Sequence, residues 1–323
     1  MAHHASWIRG LRAIALGSSI AAAALAALAV GGVSPAWAGD APWPADIVAP
    51  GVKPQVLGTG YGFCEGPAAD AEGNIYFSDG TKDRIHFYQP GKPVRVWVEG
   101  STDANGMMFN GKGELCVCEG AAYRIVAFDV KTKQKRVLAR EIDGRHFNEP
   151  NDLSIDAHDG FYFTDPNYGH HRQKTVMKED VYYVSAAGAV TRVSTVCKKP
   201  NGVLLTADGK FLYVADNGAG LIYRYAVVAP GKLADEKLWI RLGAGPDGLT
   251  LDEKGNLYVA CGPVGVKVYS AEGKTLGTIG GLYASNCVFG GKDFSTLFVT
   301  SADRFLAVPT KVRGVKPPCW KPR

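Results

Sequence analysis

Residues 199–214, Lys-Pro-Asn-Gly-Val-Leu-Leu-Thr-Ala-Asp-Gly-Lys-Phe-Leu-Tyr-Val, carry the pattern that decides the fold of this 323-residue chain. Asn201 precedes a short apolar run, and Asp208-Gly209-Lys210 then marks a turn. Gly and Asp tolerate the positive φ that tight hairpin turns require. Leu212-Tyr213-Val214 follows, with the aromatic and β-branched residues that favour strands. The stretch therefore predicts a β-hairpin that begins at Asn201.

The same hairpin pattern occurs six times along the chain. Each copy begins with Glu, Asn or Asp, usually beside Gly or Pro, and we call these residues the openers. The openers are Glu65, Asn105, Asn151, Asn201, Asp247 and Asn286. Consecutive openers are 40, 46, 50, 46 and 39 residues apart. A period in this range predicts repeated blades or solenoid turns.

Two more strand-like segments follow the hairpin in most repeats. Examples are residues 84–88 with 94–98, and residues 221–225 with 238–242. Four antiparallel strands in each of six repeats predict an all-β fold, a six-bladed β-propeller of four-stranded antiparallel blades. The last repeat leaves few residues for an outer strand, so we expect residues 55–57 to supply it and to close the ring.

The first 38 residues have the features of a signal peptide. Arg9 and Arg12 form a basic start, an apolar stretch rich in Ala and Leu follows, and Ala36-Trp37-Ala38 provides a small-residue cleavage site. An uncleaved membrane anchor is the alternative, but Gly and Ser residues interrupt the apolar stretch. We expect residues 1–38 to be a signal peptide and residues 39–323 to form the propeller. The protein would then be exported, periplasmic or secreted, and free of the membrane after cleavage.

Charge and cysteine content narrow the class of partner. Without residues 1–38 the chain has 34 basic and 31 acidic side chains. This excess is too small and too scattered to indicate a nucleic-acid partner. The seven cysteines match no zinc-site spacing, and we expect most of them to be small buried residues, although an exported protein can form disulfides. The oligomeric state is not readable from the sequence.

The openers also predict a metal site. The innermost strand of each propeller blade lines the central channel, so openers at the start of these strands point toward the axis at one end. Glu65, Asn151, Asn201 and Asp247 would bring two carboxylates and two amide oxygens together. Such hard ligands suit a divalent cation, Ca²⁺ first, with Zn²⁺, Mn²⁺ or Mg²⁺ as alternatives. Asn and Asp are also ordinary turn residues, but Glu is not, so Glu65 favours the metal interpretation.

Six short motifs resemble one enzyme family along the mature chain. They are Phe63-Cys64-Glu65-Gly66-Pro67, Phe147-Asn148-Glu149-Pro150-Asn151-Asp152-Leu153, Phe163-Thr164-Asp165-Pro166-Asn167-Tyr168-Gly169, Lys199-Pro200-Asn201-Gly202-Val203, Gly245-Pro246-Asp247-Gly248-Leu249 and Asn286-Cys287-Val288-Phe289-Gly290-Gly291. In order and in register they resemble the regucalcin (senescence marker protein)/gluconolactonase/luciferin-regenerating enzyme family, and in particular its bacterial gluconolactonases. The resemblance implies a calcium-type site made by Glu65, Asn201 and Asp247, with Asn151 as a fourth ligand or a substrate contact.

The resemblance also implies an activity. Members of this family hydrolyse lactones, typically those of sugar acids, so we expect a gluconolactonase-like enzyme with a small-molecule lactone as its partner. The cation would polarise the carbonyl, and Asp247 would activate water or attack directly. A phosphotriesterase-like hydrolase on the same site and a non-catalytic ligand-binding propeller are the alternatives. The chain has no Gly-x-Ser-x-Gly motif, which argues against a serine esterase.

Other residues are candidate substrate contacts. Asn105 and Asn286 complete the ring of openers, although a purely structural role fits both equally well. Tyr168 resembles part of a family loop near the pocket. His146 lies five residues before Asn151 and is a candidate base or substrate contact near the channel mouth, although a solvated loop histidine is the interpretation we favour.

Three nearby residues carry weaker expectations. His170 and His171 belong to the longest insertion, where binding of an anionic product competes with a plain surface role, which we favour. Animal members of the family carry Arg at the position of Glu149, so recognition of sugar hydroxyls is expected to differ here.

Overall fold

The computed structural model describes residues 42–171 and 177–320. Within these ranges it contains six sheets of four antiparallel strands and one two-stranded hairpin, and it has no α-helix. The predicted six-bladed β-propeller is confirmed. The predicted signal peptide and its cleavage site lie outside the described residues.

The first three blades follow the chain order and come directly after strand β1 (Gln55–Thr59). Their strands are β2 (Cys64–Ala69), β3 (Ile75–Asp79), β4 (Arg84–Tyr88) and β5 (Arg95–Glu99); β6 (Ala104–Phe109), β7 (Leu115–Glu119), β8 (Arg124–Phe128) and β9 (Lys135–Ala139); and β12 (Leu153–Ile155), β13 (Phe161–Thr164), β14 (Val181–Val184) and β15 (Val190–Ser194). The hairpin β10 (Glu141–Ile142) and β11 (Arg145–His146) lies between blades 2 and 3.

The remaining blades continue in the same order. Their strands are β16 (Pro200–Leu205), β17 (Phe211–Asp216), β18 (Leu221–Ala229) and β19 (Lys232–Arg241); β20 (Leu249–Leu251), β21 (Leu257–Ala260), β22 (Val266–Tyr269) and β23 (Thr275–Ile279); and β24 (Asn286–Gly290), β25 (Thr296–Ser301) and β26 (Arg304–Pro309). The last two strands of blade 5 have no counterpart in the sequence prediction, because Gly and charged residues interrupt their apolar pattern.

The ring closes through the first strand of the described chain. Strand β1 pairs antiparallel with β26 and becomes the outer strand of blade 6. Gln55 lies opposite Ala307, and Thr59 lies opposite Arg304. The expectation that residues 55–57 complete the last blade is confirmed. Closure therefore depends on pairing between the two ends of the propeller.

Hydrophobic packing between neighbouring blades forms the core. The second strands of blades 1, 2, 3 and 5 are buried along their whole length, and Tyr162 and Tyr258 are completely shielded from solvent. Strands covered on both faces read as continuous apolar runs rather than as alternating patterns. This explains why aromatic and aliphatic residues follow one another in each second strand.

The tail of the chain packs against the propeller rather than extending away from it. Val315, Pro317 and Trp320 line a small cavity of about 90 Å³ in the channel. The indole N–H of Trp320 donates a hydrogen bond to the carbonyl oxygen of Phe109 at 3.2 Å. The C-terminal segment thus acts as a strap that covers part of the channel.

The cysteines are consistent with the sequence prediction. All seven are within the described residues, and each is buried with a free thiol. They pack as small apolar side chains.

Within the described residues, no helix has the length and apolar character needed to cross a membrane.

Candidate active site

Five of the six openers meet in one cavity. Every inner strand starts at the same end of the propeller, so the openers converge on the axis there. The cavity has a volume of about 480 Å³. The openers that line it are Glu65, Asn105, Asn151, Asn201 and Asp247. This volume is typical of a small-molecule site.

Asn286 takes a different position from the other openers. It lines the smaller 90 Å³ cavity together with Gly66 and Asp152. Its side-chain amide donates a hydrogen bond to Glu65 Oε2 at 3.3 Å. Asn286 therefore supports Glu65 rather than facing the larger cavity.

Hydrogen bonds between blades hold the openers in place. The carbonyl oxygen of Asn151 accepts a bond from the N–H of Gly106 at 2.7 Å. The carbonyl oxygen of Asn201 accepts one from the hydroxyl of Thr164 at 2.6 Å. Each of these bonds joins an opener to the preceding blade, so the position of an opener depends on the assembled ring.

The glycines beside the openers allow the inner strands to approach closely. A Cβ atom on Gly66 would lie 1.9 Å from the carbonyl oxygen of Asn105, and one on Gly202 would lie 2.3 Å from that of Asp247. Gly66 also has a φ of +44°, in the region that favours glycine. The glycines therefore allow close contact between blades as well as a turn in the chain.

Three buried aspartates fix the loops that lead into the openers. They are Asp79, Asp165 and Asp216, each at or just after the end of a second strand. Asp216 accepts hydrogen bonds from the backbone N–H groups of residues 198 and 199 at 2.9 and 3.0 Å. Asp79 and Asp165 do the same for the loops before Glu65 and Asn151. The structure gives Asp165 a structural role, because its carboxylate accepts a hydrogen bond from the backbone N–H of Asn148.

Two buried carboxylates, those of Glu65 and Asp247, line the cavity. Glu65 is 8% exposed, and burial raises its pKa above the ordinary range, while hydrogen bonds from Gly66 and Asn286 oppose that rise. The pKa of Asp247 lies well above its usual value because of burial first, and then because of the nearby charges of Glu65 and Asp152. The Asn201 side chain partly counteracts this shift through a hydrogen bond to Asp247. A compensating positive charge would lower both pKa values.

The oxygen atoms around these two carboxylates suit a hard divalent cation. Among the described residues that line the cavity, none is Lys or Arg, so the two carboxylates have no fixed cationic partner there. Glu65, Asp247, Asn151 and Asn201 offer carboxylate and amide oxygens, which suit Ca²⁺ or Mg²⁺ better than softer metals. Within the described ranges, no group of three or more His, Cys, Asp or Glu side chains is arranged to hold a metal. A cation here would therefore depend on the amide oxygens.

Tyr168 contacts one of these oxygen-bearing side chains, Asn201. The amide nitrogen of Asn201 donates a hydrogen bond to the Tyr168 hydroxyl at 2.8 Å. Burial, followed by the charge of Asp247, raises the pKa of Tyr168, so the hydroxyl stays protonated. The bond fixes the orientation of the Asn201 side chain.

The three histidines that the sequence analysis considered are all exposed, but they differ in their distance from the cavity. His146 is exposed in the β10–β11 hairpin, with Nδ1 3.3 Å from the carbonyl oxygen of Arg140. It is not among the described residues that line the cavity. His170 and His171 are exposed, as expected, and they also line the cavity together with Asp103. Only the position of Asp103, two residues before an opener, could have marked this group in the sequence.

The fold and site together define a class of protein: a six-bladed propeller with an oxygen-rich pocket at one end of its channel. The SMP-30/Gluconolactonase/LRE-like region family model matches residues 63–303, and the chain belongs to that family. It is 29% identical over 294 residues to a gluconolactonase of Zymomonas mobilis, covering 80% of this chain and 82% of that protein. A diisopropyl-fluorophosphatase of Loligo vulgaris is 22% identical over 241 residues, with coverage of 65% and 75%.

Solved structures agree with this assignment. A gluconolactonase from Xanthomonas campestris superposes with a TM-score of 0.75 and 26% identity, covering 82% of this chain and 92% of that one. The predicted family is confirmed, and the similarity extends over most of the propeller.

Proposed function

We propose that this protein is a lactonase that hydrolyses a sugar-acid lactone with the help of a divalent cation. The observation that carries the proposal is the meeting of Glu65, Asn151, Asn201 and Asp247 in one cavity of suitable size. The named relatives support lactone hydrolysis as the reaction. Cation dependence and the residue roles are our inferences from the donor set.

A bound divalent cation would polarise the lactone carbonyl and lower the barrier to attack by water. Glu65, Asn151, Asn201 and Asp247 are the residues that would hold it. Asp247 would accept a proton from the attacking water as the new C–O bond forms. The bond from the carbonyl carbon to the ring oxygen then breaks, the ring oxygen takes up a proton, and the product is a hydroxy acid. Direct attack by Asp247 on the carbonyl is the alternative route.

The proposal is tested by acid release from glucono-1,5-lactone above the uncatalysed rate, with and without chelator. We expect chelator to abolish the activity and added Ca²⁺ to restore it. Asp247→Asn should lower kcat by about 10²–10⁴-fold, the typical contribution of a positioned base. Asp46→Asn, a change at an exposed site, is the matched control and should leave kcat unchanged. Absence of turnover by the wild-type protein would reject the proposal, and full activity of Asp247→Asn would reject the role of Asp247.

A phosphotriesterase-like activity is the second candidate. The similarity to the diisopropyl-fluorophosphatase supports it, and the same oxygen donors could serve a phosphoryl group. Fluoride release from diisopropyl fluorophosphate can be measured on the same preparation. Fluoride release without lactone turnover would favour this second function.

We further propose that the protein is exported and that residues 1–38 are removed. The basic start, the apolar stretch and the Ala36-Trp37-Ala38 site support this proposal. Intact mass measurement of the protein from a periplasmic or secreted fraction should give a chain that begins at Gly39. Recovery of the uncleaved chain in the membrane fraction would contradict it.

A further inference from the structure

The wall of the cavity contains a histidine–aspartate pair that no part of the proposed reaction uses. His171 Nε2 lies 2.6 Å from Asp103 Oδ2, and both side chains are 29% exposed. Both residues line the same cavity as Glu65 and Asp247. Asp103 comes from the loop before blade 2, and His171 comes from blade 3, so the pair joins two blades across the cavity wall.

Asp103 is held in a defined position. Its backbone N–H donates to Asp83 Oδ1 at 3.0 Å, and its φ is +52°. A Cβ atom on Gly80 would lie 2.5 Å from Asp103 Oδ1, and one on Gly120 would lie 3.2 Å from Oδ2. The carboxylate therefore lies against two glycines that leave it space.

His171 is held from the other side by Glu149. Glu149 is 5% exposed, and its Oε1 accepts a hydrogen bond from the backbone N–H of His171 at 2.8 Å. Its Oε2 accepts one from the backbone N–H of Tyr168 at 3.0 Å. The carboxylate thus braces the segment that carries both Tyr168 and His171. Glu149 acts on the backbone, in contrast to a residue that would contact the substrate itself.

The chemistry of the pair suits recognition of hydroxyl groups. When the imidazole Nε2–H donates to the Asp103 carboxylate, the second nitrogen, Nδ1, is a hydrogen-bond acceptor in the neutral ring. An acceptor fixed in this way has the chemistry to accept a hydrogen bond from a substrate hydroxyl. An unsubstituted lactone ring has no hydroxyl to offer.

We propose that His171, oriented by Asp103 and braced by Glu149, is a specificity-determining residue that binds a hydroxyl group of the substrate. This inference rests on the proposed lactonase function. His171 contacts the substrate, whereas Asp103 and Glu149 are positioning residues. The pair selects polyhydroxylated lactones over unsubstituted ones and takes no part in proton transfer.

The test compares glucono-1,5-lactone with δ-valerolactone, a six-membered lactone without hydroxyl groups. For His171→Gln, the ratio of kcat/KM between the two lactones should fall about tenfold, the value of roughly one hydrogen bond, through a higher KM for gluconolactone. Asp103→Asn should shift the ratio in the same direction, because its amide can donate to Nε2 and leave Nδ1 protonated. His158→Gln, at an exposed site in the β12–β13 turn of blade 3, is the matched control and should leave the ratio unchanged.

Each outcome decides the inference. An equal loss for both lactones, or an unchanged ratio, would overturn it. If His171→Gln does not fold by circular dichroism, Asp103→Asn decides the question, because it preserves every backbone contact. The activity of the wild-type protein is measured first. If the wild type hydrolyses neither lactone, the proposed function is rejected and the inference with it. A wild type that hydrolyses both, with variants that keep its selectivity, rejects the inference alone.

Discussion

At the scale of single residues, the openers differ in ways that their common position hides. Glu65 and Asp247 provide charge, Asn151 and Asn201 provide neutral oxygens, and Asn286 supports Glu65 from the neighbouring cavity. A ring of six asparagines would attract a divalent cation far less strongly. The two carboxylates therefore make the cavity a candidate cation site.

Tyr168 gives a residue-scale prediction about cation affinity. Its hydroxyl accepts the hydrogen bond that orients Asn201, so Tyr168→Phe should leave that amide less fixed. We expect the Kd for Ca²⁺ to rise about fivefold to tenfold, measured by isothermal titration calorimetry, with little change in Tm.

Tyr88→Phe is the matched control for this measurement. Among the residues that the structure describes, its hydroxyl accepts a single long hydrogen bond of 3.4 Å, from the Gly91 N–H on the outer part of blade 1. Calcium affinity that is unchanged in Tyr168→Phe, or equally reduced in both variants, would contradict the role given to Tyr168.

At the scale of elements, a buried aspartate links the second strand to the loop before an opener in blades 1, 3 and 4. Asp216 is 1% exposed and accepts three backbone hydrogen bonds, from residues 198, 199 and 219. A hairpin alone does not fix the loop that precedes it. These side chains therefore hold the loops that lead into Glu65, Asn151 and Asn201.

Asp216→Ala should destabilise the fold by about 2–3 kcal/mol, because it removes the buried carboxylate that accepts hydrogen bonds from three partly buried backbone N–H groups. Denaturant unfolding measures this change, and the Tm should fall by several degrees. Asp216→Asn keeps one acceptor oxygen and should lose less. If Asp216→Ala is as stable as the wild type, these hydrogen bonds do not hold the loop.

The elements also show how much the sequence could predict. The openers, the hairpins and the closing strand at residues 55–57 were predictable, because period and apolar runs reflect packing between blades. Strands β22 and β23 were not, since Lys267 and Gly277 interrupt the apolar pattern that marks other strands. The contacts of Glu149 and His171 were not predictable either, because they connect loops of different blades and depend on distances that no local pattern encodes.

At the scale of the whole molecule, the site exists only when the ring is closed. Openers are bonded to neighbouring blades, and blade 6 is completed by the first strand of the described chain. Loss of any blade would separate the ligands from one another. Ligand binding and folding are therefore thermodynamically linked: a cation that binds only the closed ring must stabilise it.

The stability of the closed ring should change with pH in a definite direction. Burial raises the pKa of both Glu65 and Asp247 in the folded protein. A carboxyl with a raised pKa contributes stability that is fully present below its unfolded pKa, near pH 4, and is lost as the pH rises through the folded value. The chelated protein should therefore have a higher Tm at pH 5 than at pH 8. Added Ca²⁺ at about 100 times its Kd should raise the Tm by several degrees at pH 8, and by less at pH 5 where protons compete.

Glu65→Gln provides the control for this last prediction, since it removes one of the two titrating ligands and keeps the shape of the side chain. The variant should lose most of the Ca²⁺-dependent increase in Tm at pH 8, and its chelated form should be more stable there than the chelated wild type. Differential scanning calorimetry with and without chelator measures both quantities. A Ca²⁺ shift of equal size at pH 5 and pH 8, or one retained in Glu65→Gln, would mean that the cation binds elsewhere on the protein.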